Sequence, residues 1–208
     1  MKNGIDFLLA GVGGQGTILA SDVLVNVGLA AGFQAKQAEV HGMSQRGGSV
    51  TSHVRWGEVV HSPLIGAGEA DVLVAFEKLE ALRWINTMRP GALALINMQT
   101  IEPLTAISGD QAYPTDETLH KVFAELSSQV QYINGEEIAE SLGNVKAANV
   151  VLLGALSALL EKSGQAGAEP TPETWLKVIT ERVPPKHIEL NRKAFQAGRE
   201  AVSFKEVQ

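Results

Sequence analysis

The chain has 208 residues, 45% of them hydrophobic and 19% charged, so it is long and apolar enough to bury a core. Its net charge of -6 excludes the basic surface that nucleic acid or an anionic membrane would require. The absence of cysteine excludes a disulfide, a thiol nucleophile and an iron–sulfur cluster held by thiolates of this chain. We find no signal-peptide pattern and expect a cytoplasmic protein.

The N-terminal part of the sequence predicts a strand, a turn, a helix and a second strand. The apolar run at residues 5–10 predicts a buried strand, and residues 11–16 are a glycine-rich turn. Apolar residues then recur every three or four positions, which predicts a helix over residues 17–31 that ends at Gly32. A second strand is predicted at residues 33–40.

The middle of the chain predicts a loop, a β-hairpin and a parallel unit. Residues 41–48 are polar and without periodicity, which is typical of a loop. Residues 49–56 and 59–62 are β-rich and flank Gly57 and Glu58, a pair that suits a two-residue type II′ turn. A strand, a helix and a strand follow at residues 71–76, 79–88 and 92–97, and this order predicts parallel strands.

The remaining sequence predicts one more alternation of helix and strand and then a series of helices. Thr115 is predicted to cap a helix, before a strand at residues 129–134 and a helix at residues 135–142. The predicted helices beyond these are an apolar one at residues 144–160, one that begins at Thr171-Pro172, and one at residues 186–204.

These elements predict a single α/β domain over residues 1–208. We expect a Rossmann-like, mostly parallel sheet flanked by helices in residues 1–142, with a β-hairpin insertion. Residues 143–208 are expected to form a helical C-terminal third that packs as a layer on this core.

The glycine turn has the spacing G-x-G-x-x-G between a strand and a helix. Such a turn directs backbone N–H groups and the positive end of the helix dipole toward a phosphate. A dinucleotide-binding fold also carries an acidic residue about 20 positions later that binds the ribose. Glu39 is the candidate for that role here. The alternative is a tight strand-to-helix turn that binds nothing.

The loop at residues 41–48 follows the second strand and is expected at the same sheet edge as the glycine turn. Its donors surround a glycine pair, which is typical of an anion-binding loop or an interface, and Arg46 is the natural phosphate partner. A solvated loop whose glycines only permit positive φ is the alternative. The candidate ligand-binding residues are Gly11, Gly13, Gly14, Gln15, Gly16, Thr17, His41, Ser44, Gln45, Arg46, Gly47, Gly48 and Ser49.

Other polar residues are expected to have structural roles. The histidines show no spacing that predicts a metal site, and we predict no catalytic residue in this chain. His53 and Arg55 are expected on an exposed strand face, and Glu77 and Glu80 at the polar start of a helix.

Three segments together resemble the gamma-type domain of pyruvate/ketoisovalerate oxidoreductases. They are GVGGQGT at residues 11–17, EVHGMSQRGGSV at residues 39–50 and SHVR at residues 52–55. The resemblance continues through SPLI at residues 62–65 and GEADVL at residues 68–73, so it is close over the first half of the chain. Within this family, the loop is most similar to the form in indolepyruvate oxidoreductase beta subunits.

The resemblance implies an accessory subunit of a heteromeric 2-oxoacid:ferredoxin oxidoreductase that is inactive alone. The implied reaction is oxidative decarboxylation of an aryl pyruvate, such as indolepyruvate, with coenzyme A to give an acyl-CoA, CO2 and reduced ferredoxin. A larger partner subunit would carry thiamine diphosphate, magnesium and iron–sulfur clusters, in an assembly such as a dimer of heterodimers. Coenzyme A would then contact the glycine turn and the polar loop of this chain.

Two alternatives stay open at the level of sequence. The first is an independent Rossmann oxidoreductase that binds NAD or FAD through the glycine turn and Glu39. The second is a purely structural scaffold subunit whose two glycine loops only pack against the partner. Titration of the isolated chain with NAD and FAD tests the first alternative.

Overall fold

The computed structural model describes residues 4–41, 48–102, 112–127, 129–166 and 170–202. The strands are β1 (Gly4–Val12), β2 (Gln34–His41), β3 (Ser49–Gly57), β4 (Ala70–Ala75), β5 (Met88–Asn97) and β6 (Val130–Ile133). The α-helices in these ranges are α1 (Thr17–Ala30), α2 (Lys78–Trp84), α3 (Asp116–Leu126), α4 (Gly135–Ser141), α5 (Ala148–Ser163), α6 (Pro172–Arg182) and α7 (Ile188–Ala201). Single 3-10 turns lie at Ile85–Thr87, Val145–Ala147 and Pro185–His187.

The six strands form one sheet in the order β2-β3-β1-β4-β5-β6. The pairs β1–β4, β4–β5 and β5–β6 are parallel, whereas β3 is antiparallel to both β1 and β2. Five strands therefore run in one direction and β3 alone opposes them. The expected α/β class, with a mostly parallel sheet and flanking helices, is confirmed.

The β-hairpin expected at residues 49–56 and 59–62 was wrong. Residues 49–57 form β3, an interior strand whose Trp56 lies opposite Ile5 of β1 and Ala35 of β2. Since both edges of β3 are occupied, residues 59–62 have no strand to pair with, and they leave the sheet as coil. The antiparallel pair is instead β2 and β3, which are consecutive in the chain and flank the polar loop.

The predicted helix at residues 79–88 ends earlier than expected, and β5 begins earlier. Helix α2 stops at Trp84, a 3-10 turn follows, and β5 starts at Met88, before the Arg89-Pro90-Gly91 sequence that was expected to precede it. The pairing of β4 with β5 shifts register in this part, and Gly91 adopts a φ of 74°. A bulge of this kind admits a proline that an even ladder would exclude.

The helices cover both faces of the sheet. Helix α1 and the C-terminal helices α5 to α7 bury one face, where the Trp56 indole packs against the Phe7 ring at a tilt of 60° and donates to the Leu24 carbonyl at 3.0 Å. The other face carries Leu8 and Leu73 and is covered by a second cluster that includes Phe123 of α3. None of the helices in the described ranges is both long and apolar enough to cross a bilayer.

Helices α3 and α6 begin at the threonine caps that the sequence predicts. The Thr115 hydroxyl accepts the Thr118 N–H at 3.2 Å, and the Thr171 hydroxyl accepts the Thr174 N–H at 3.3 Å. Helix α5 is buried along almost its whole length because it lies between β5, α1 and α7, which explains why its sequence is apolar on every side.

Candidate functional site at the carboxyl edge of the sheet

The structure brings the ends of the glycine turn and the polar loop together at one edge of the sheet. Val12, the last residue of β1, pairs with Ser49, the first residue of β3. The Gly13 N–H donates to the Gly48 carbonyl at 3.1 Å, so a hydrogen bond joins the two segments. Of the other predicted loop residues, Ser44, Gln45, Arg46 and Gly47 lie outside the described residues, and for His41 only the backbone in β2 is described.

The glycines of the turn are required by its backbone and packing. Gly14 and Gly16 have φ values of 107° and 78°, which L-residues with a side chain rarely adopt. A Cβ at Gly16 would lie 2.5 Å from Asn149 Nδ2, and a Cβ at Gly11 would lie 2.9 Å from a methyl of the buried Thr17. Helix α1 begins directly after Gly16, so the N–H groups of its first turn have no partner within the helix and remain at this edge.

Gln15 holds the turn in place with its side chain. Its Oε1 accepts the Val12 N–H at 2.7 Å, and its Nε2 donates to the Phe76 carbonyl at 2.8 Å and to the side-chain oxygen of Gln99. The amide thus ties β1 to the ends of β4 and β5. The sequence predicts Gln15 as a ligand-binding residue, and in this structure its side-chain oxygen and nitrogen both bond protein groups.

The turn forms one wall of a cleft of about 380 Å³ at the carboxyl ends of β1, β4 and β5. The connections from β1 and β4 lead to opposite sides of the sheet, which makes this crevice the switch point where α/β proteins bind ligands. Polar side chains of the opposite wall include Asn97, Gln99, Glu136, Lys146 and Asn149. No motif in the sequence marks this wall, because most of these residues are far from the turn along the chain.

Asn97 and Glu136 form the inner part of that wall. Asn97 is fully buried, and its Nδ2 donates to the Phe76 carbonyl at 3.0 Å and to both carboxylate oxygens of Glu136, at 2.9 and 3.1 Å. Its Oδ1 accepts the Gly135 N–H at 2.9 Å. Burial raises the pKa of Glu136, while the bonds from Asn97 and from its own backbone N–H act in the opposite direction.

Ser49 is fixed by a buried carboxylate on α2. Its hydroxyl donates to Glu80 at 2.5 Å, and Arg83 donates to the other carboxylate oxygen at 2.5 Å. Trp84 Nε1 reaches the same hydroxyl at 3.4 Å. Glu80 lies in the first turn of α2, as expected for the polar start of a helix, but it has only 1% of its surface exposed. Through Ser49, the buried Glu80 anchors the strand that follows the polar loop.

Glu77 is also buried, and it caps α2. Its carboxylate accepts the Glu80 N–H at 3.0 Å, the Ile101 N–H at 3.0 Å and the Tyr113 hydroxyl. Burial and the neighbouring Glu77 carboxylate raise the pKa of Tyr113, which keeps the phenol protonated as a donor. Glu77 therefore joins α2 to the segments that carry Ile101 and Tyr113.

His53 and Arg55 lie beneath a covering segment and not on an exposed strand face, so that expectation was wrong. His53 is buried, and its Nδ1 accepts the Ile65 N–H at 3.1 Å because residues 58–69 fold across β3. The Arg55 guanidinium nitrogen Nη2 lies 3.2 Å from Asp6 Oδ2 and 2.6 Å from Glu69 Oε2. Burial, together with the Arg55 charge, lowers the pKa of His53.

The lowered pKa of His53 predicts a loss of stability in acid. The unfolded imidazole titrates near pH ~6.5 and the folded one at lower pH, so between these values the unfolded state binds more protons. The free energy of unfolding is therefore expected to fall as the pH drops through this window, and to be insensitive to His53 above it. Urea denaturation between about pH 5 and pH 8 measures this dependence.

Asparagine provides the matching variant for His53. In His53→Asn an amide oxygen replaces the Nδ1 acceptor without titrating, so the variant should lose part of the acid-dependent decrease in stability. His61→Asn is the control, since His61 is exposed on the covering segment. An equal pH dependence in wild type and His53→Asn would contradict the assignment.

Glu39 does not occupy the ribose-binding position of a dinucleotide fold. That position ends the strand next to β1, whereas Glu39 lies on β2 opposite Ser52, and β3 separates β2 from β1. Within the described residues, no group of three or more histidine, aspartate or glutamate side chains is placed to hold a metal ion. The geometry therefore disfavours an NAD or FAD site that uses Glu39.

The fold and this edge define an α/β protein without thiol ligands, whose glycine turn and second loop meet beside a cleft at the sheet's switch point. The chain belongs to the pyruvate ferredoxin/flavodoxin oxidoreductase family, whose family model matches residues 6–201. The resemblance predicted from the glycine turn and the polar loop is therefore confirmed, and the match extends into the C-terminal helices.

Individual relatives agree with this assignment. The chain is 40% identical over 195 residues to indolepyruvate oxidoreductase subunit IorB of Thermococcus kodakarensis, with 93% of each chain covered. It is 38% identical over 194 residues to the protein of the same name from Pyrococcus horikoshii, again with 93% of each chain covered. A keto/oxoacid ferredoxin oxidoreductase gamma subunit from Geobacter sulfurreducens shares the fold with a TM-score of 0.68 and 27% identity, over 95% of this chain and 97% of that one. The expected enzyme class, a multi-subunit oxoacid:ferredoxin oxidoreductase, is confirmed.

Proposed function

We propose that this chain is the cluster-free accessory subunit of an oxidoreductase that decarboxylates an aryl pyruvate, with indolepyruvate as the first substrate to test. The names of the relatives from Thermococcus kodakarensis and Pyrococcus horikoshii support this substrate. The chain has no cysteine, and its described residues include no metal-ligand group, so they do not fit iron–sulfur clusters or the magnesium of thiamine diphosphate. We assign these groups to a larger partner subunit, and we place the complex in the cytoplasm.

Co-purification tests the assignment of a partner. The tagged full chain, purified from its native cells, is expected to bring with it a larger chain that contains thiamine diphosphate and iron–sulfur clusters. Ferredoxin reduction with indolepyruvate and coenzyme A should require both chains. Turnover by the isolated small chain would contradict the accessory role.

The second part of the proposal is that coenzyme A contacts this chain at the edge where the two loops meet. The observation that carries it is the hydrogen bond from Gly13 to the Gly48 carbonyl, which joins the glycine turn to the polar loop beside the cleft. Free N–H groups at the start of α1 suit the coenzyme's pyrophosphate, and Arg46 would supply a charged donor. The contribution of this chain is binding and orientation, because no bond is made or broken by its residues.

Arg46→Ala tests this contact in the assembled enzyme. Loss of a charge-assisted hydrogen bond costs about 1.5–3 kcal/mol, so the KM for coenzyme A should rise roughly 10- to 100-fold. Decarboxylation of indolepyruvate without coenzyme A should remain nearly unchanged, because that step takes place on the partner. Steady-state kinetics with coenzyme A as the varied substrate measures the first effect, and CO2 release measures the second.

Arg192→Ala is the matched control, since Arg192 is exposed on α7. It should leave the KM for coenzyme A unchanged. If Arg46→Ala also leaves that KM unchanged but weakens the association of the two subunits, the scaffold alternative replaces the coenzyme A contact. Saturable binding of NAD or FAD to the isolated chain would instead favour the independent oxidoreductase, although the position of Glu39 speaks against it.

A further inference from the structure

Helix α2 holds both of the segments that meet at the carboxyl edge of the sheet. At its start, the Lys78 N–H donates to the Gln99 carbonyl at 3.1 Å, and the Gln99 side chain bonds Gln15 of the glycine turn. In its first turn, Glu80 accepts the Ser49 hydroxyl at 2.5 Å, where the polar loop enters β3. The position of the glycine turn relative to the end of the polar loop therefore depends on this helix.

The Ser49 hydroxyl commits its proton to Glu80. A hydroxyl has one proton to donate, and the Trp84 indole N–H approaches the same oxygen at 3.4 Å. The Ser49 side chain can therefore accept one more hydrogen bond, but it cannot donate to a ligand while the bond to Glu80 is kept. This arrangement suits a residue that fixes the backbone better than a residue that supplies a donor to an anion.

Glu80 is held in place by burial and by three hydrogen bonds. Its carboxylate accepts Arg83 Nη1 at one oxygen and the Ser49 hydroxyl at the other, both at 2.5 Å, and its backbone N–H donates to the Glu77 carboxylate at 3.0 Å. Hydrogen bonds to a charged group are about twice as strong as neutral ones, and a buried carboxylate that loses a donor is costly. The position of Ser49 is therefore coupled to that of Glu80.

The peptide unit before Ser49 makes the contact between the two loops. The Gly48 carbonyl accepts the Gly13 N–H at 3.1 Å. This carbonyl and the Ser49 nitrogen belong to one planar peptide unit, so the orientation of Ser49 determines where the Gly48 oxygen points. A change at the Ser49 hydroxyl is thereby transmitted to the hydrogen bond from Gly13.

We propose that Glu80 is a positioning residue for the binding of coenzyme A. Acting through the Ser49 hydroxyl, it sets the geometry of the contact between Gly13 and Gly48, and this geometry determines the affinity for the coenzyme. The inference rests on the proposed contact between coenzyme A and this edge of the sheet. Neither Glu80 nor the Ser49 side chain touches the ligand in this arrangement.

Ser49→Ala in the full chain tests the positioning without any ligand. Loss of the hydroxyl loosens Gly48, so hydrogen–deuterium exchange of the Gly13 amide, measured by NMR, is expected to accelerate about 10-fold. Ser49→Thr keeps a hydroxyl and should retain the wild-type rate. The Trp175 N–H, which bonds the Thr171 carbonyl at the start of α6, should exchange equally in all three proteins. An unchanged Gly13 rate in Ser49→Ala overturns the inference, as does an equal acceleration at Trp175.

The assembled enzyme tests the consequence for binding. In Glu80→Gln a single neutral oxygen replaces the carboxylate that accepts Arg83 and Ser49. The Kd for coenzyme A, measured by calorimetry, is expected to rise about 5- to 10-fold in Glu80→Gln and in Ser49→Ala, and to stay near the wild-type value in Ser49→Thr. Glu137→Gln is the control for the lost charge, because Glu137 is exposed on α4 and bonds Asn134.

The double variant Glu80→Gln/Ser49→Ala shows whether Glu80 acts through Ser49. If it does, the double variant should raise the Kd no more than the larger single change. Multiplied effects of the two changes, or equal weakening by Ser49→Ala and Ser49→Thr, overturn the inference. If Arg46→Ala weakens coenzyme A binding whereas Glu80→Gln and Ser49→Ala do not, the positioning role fails and the coenzyme A contact stands. If none of these three variants weakens binding, both proposals fail.

Discussion

Replacing Gly198 by alanine is expected to lower the free energy of unfolding by about 3 kcal/mol, at the upper end of the usual cost of overpacking. Helices α5 and α7 cross at two glycines. A Cβ at Gly198 would lie 1.9 Å from the Val151 carbonyl oxygen, and a Cβ at Gly154 would lie 2.0 Å from the Phe195 carbonyl oxygen. Both obstacles are backbone atoms, so a rotamer change cannot relieve the clash and the two helices must separate.

Gly66→Ala is the control for this prediction. Gly66 is exposed, and its nearest neighbour is the flexible Glu69 side chain at 3.3 Å, so a change within ~0.5 kcal/mol is expected. Urea denaturation of the three proteins measures the difference. The double variant Gly154→Ala/Gly198→Ala should cost less than the sum of the single changes, because one separation of the helices accommodates both methyl groups. Equal stability of Gly198→Ala and Gly66→Ala would contradict the close crossing.

The elements that the sequence predicted well are those whose signals are local. The apolar run of β1, the glycines that follow it and the threonine caps of α3 and α6 each act within a few residues, and all appear in the structure. The apolar stripe of α1 likewise predicted its buried face. Each signal reflects backbone conformation or a single amphipathic period, and neither depends on distant partners.

The pairing of β3 could not be predicted in this way. Gly57-Glu58 has the residue types of a tight turn, yet β3 pairs on one side with β1, from which it is separated by the whole of α1 and β2. Which strands pair with β3 depends on tertiary packing, here on the packing of Trp56 against α1. Local propensity therefore identified the strand but assigned it the wrong partner.

The sequence predicted only one wall of the candidate site. The turn and the loop are motifs, whereas Asn97 and Glu136 look like an ordinary strand end and an ordinary acidic residue in the first turn of a helix. Conversely, Gln15 and Ser49 were predicted to contact a ligand, and the structure gives both of them protein partners. A polar residue in a glycine motif is thus ambiguous until the groups that surround it are known.

Gln15→Leu is expected to have the second large effect, because one amide holds three parts of the site. Leucine is similar in size to glutamine, but it cannot bond the Val12 N–H or the Gln99 side chain. The Phe76 carbonyl keeps its hydrogen bond from Asn97. At about 1 kcal/mol for each lost hydrogen bond, with an added cost for an unsatisfied N–H, the free energy of unfolding should fall by about 2–3 kcal/mol. Urea denaturation of the full chain measures this loss.

The same variant separates a positioning role from direct ligand contact. If Gln15 acts only by fixing the turn, Gln15→Leu should raise the Kd of the assembled complex for coenzyme A together with its loss of stability. Gln15→Glu should restore part of the stability and part of the affinity. One carboxylate oxygen can still accept the Val12 N–H, but the donor to the Phe76 carbonyl is lost. Gln196→Leu is the control, because Gln196 is exposed and its amide bonds Glu200 one helical turn away. If Gln15→Leu weakens coenzyme A binding without lowering the stability, Gln15 is a ligand contact. If it changes neither the stability nor the Kd, the turn keeps its shape through its glycines and Asn149 alone.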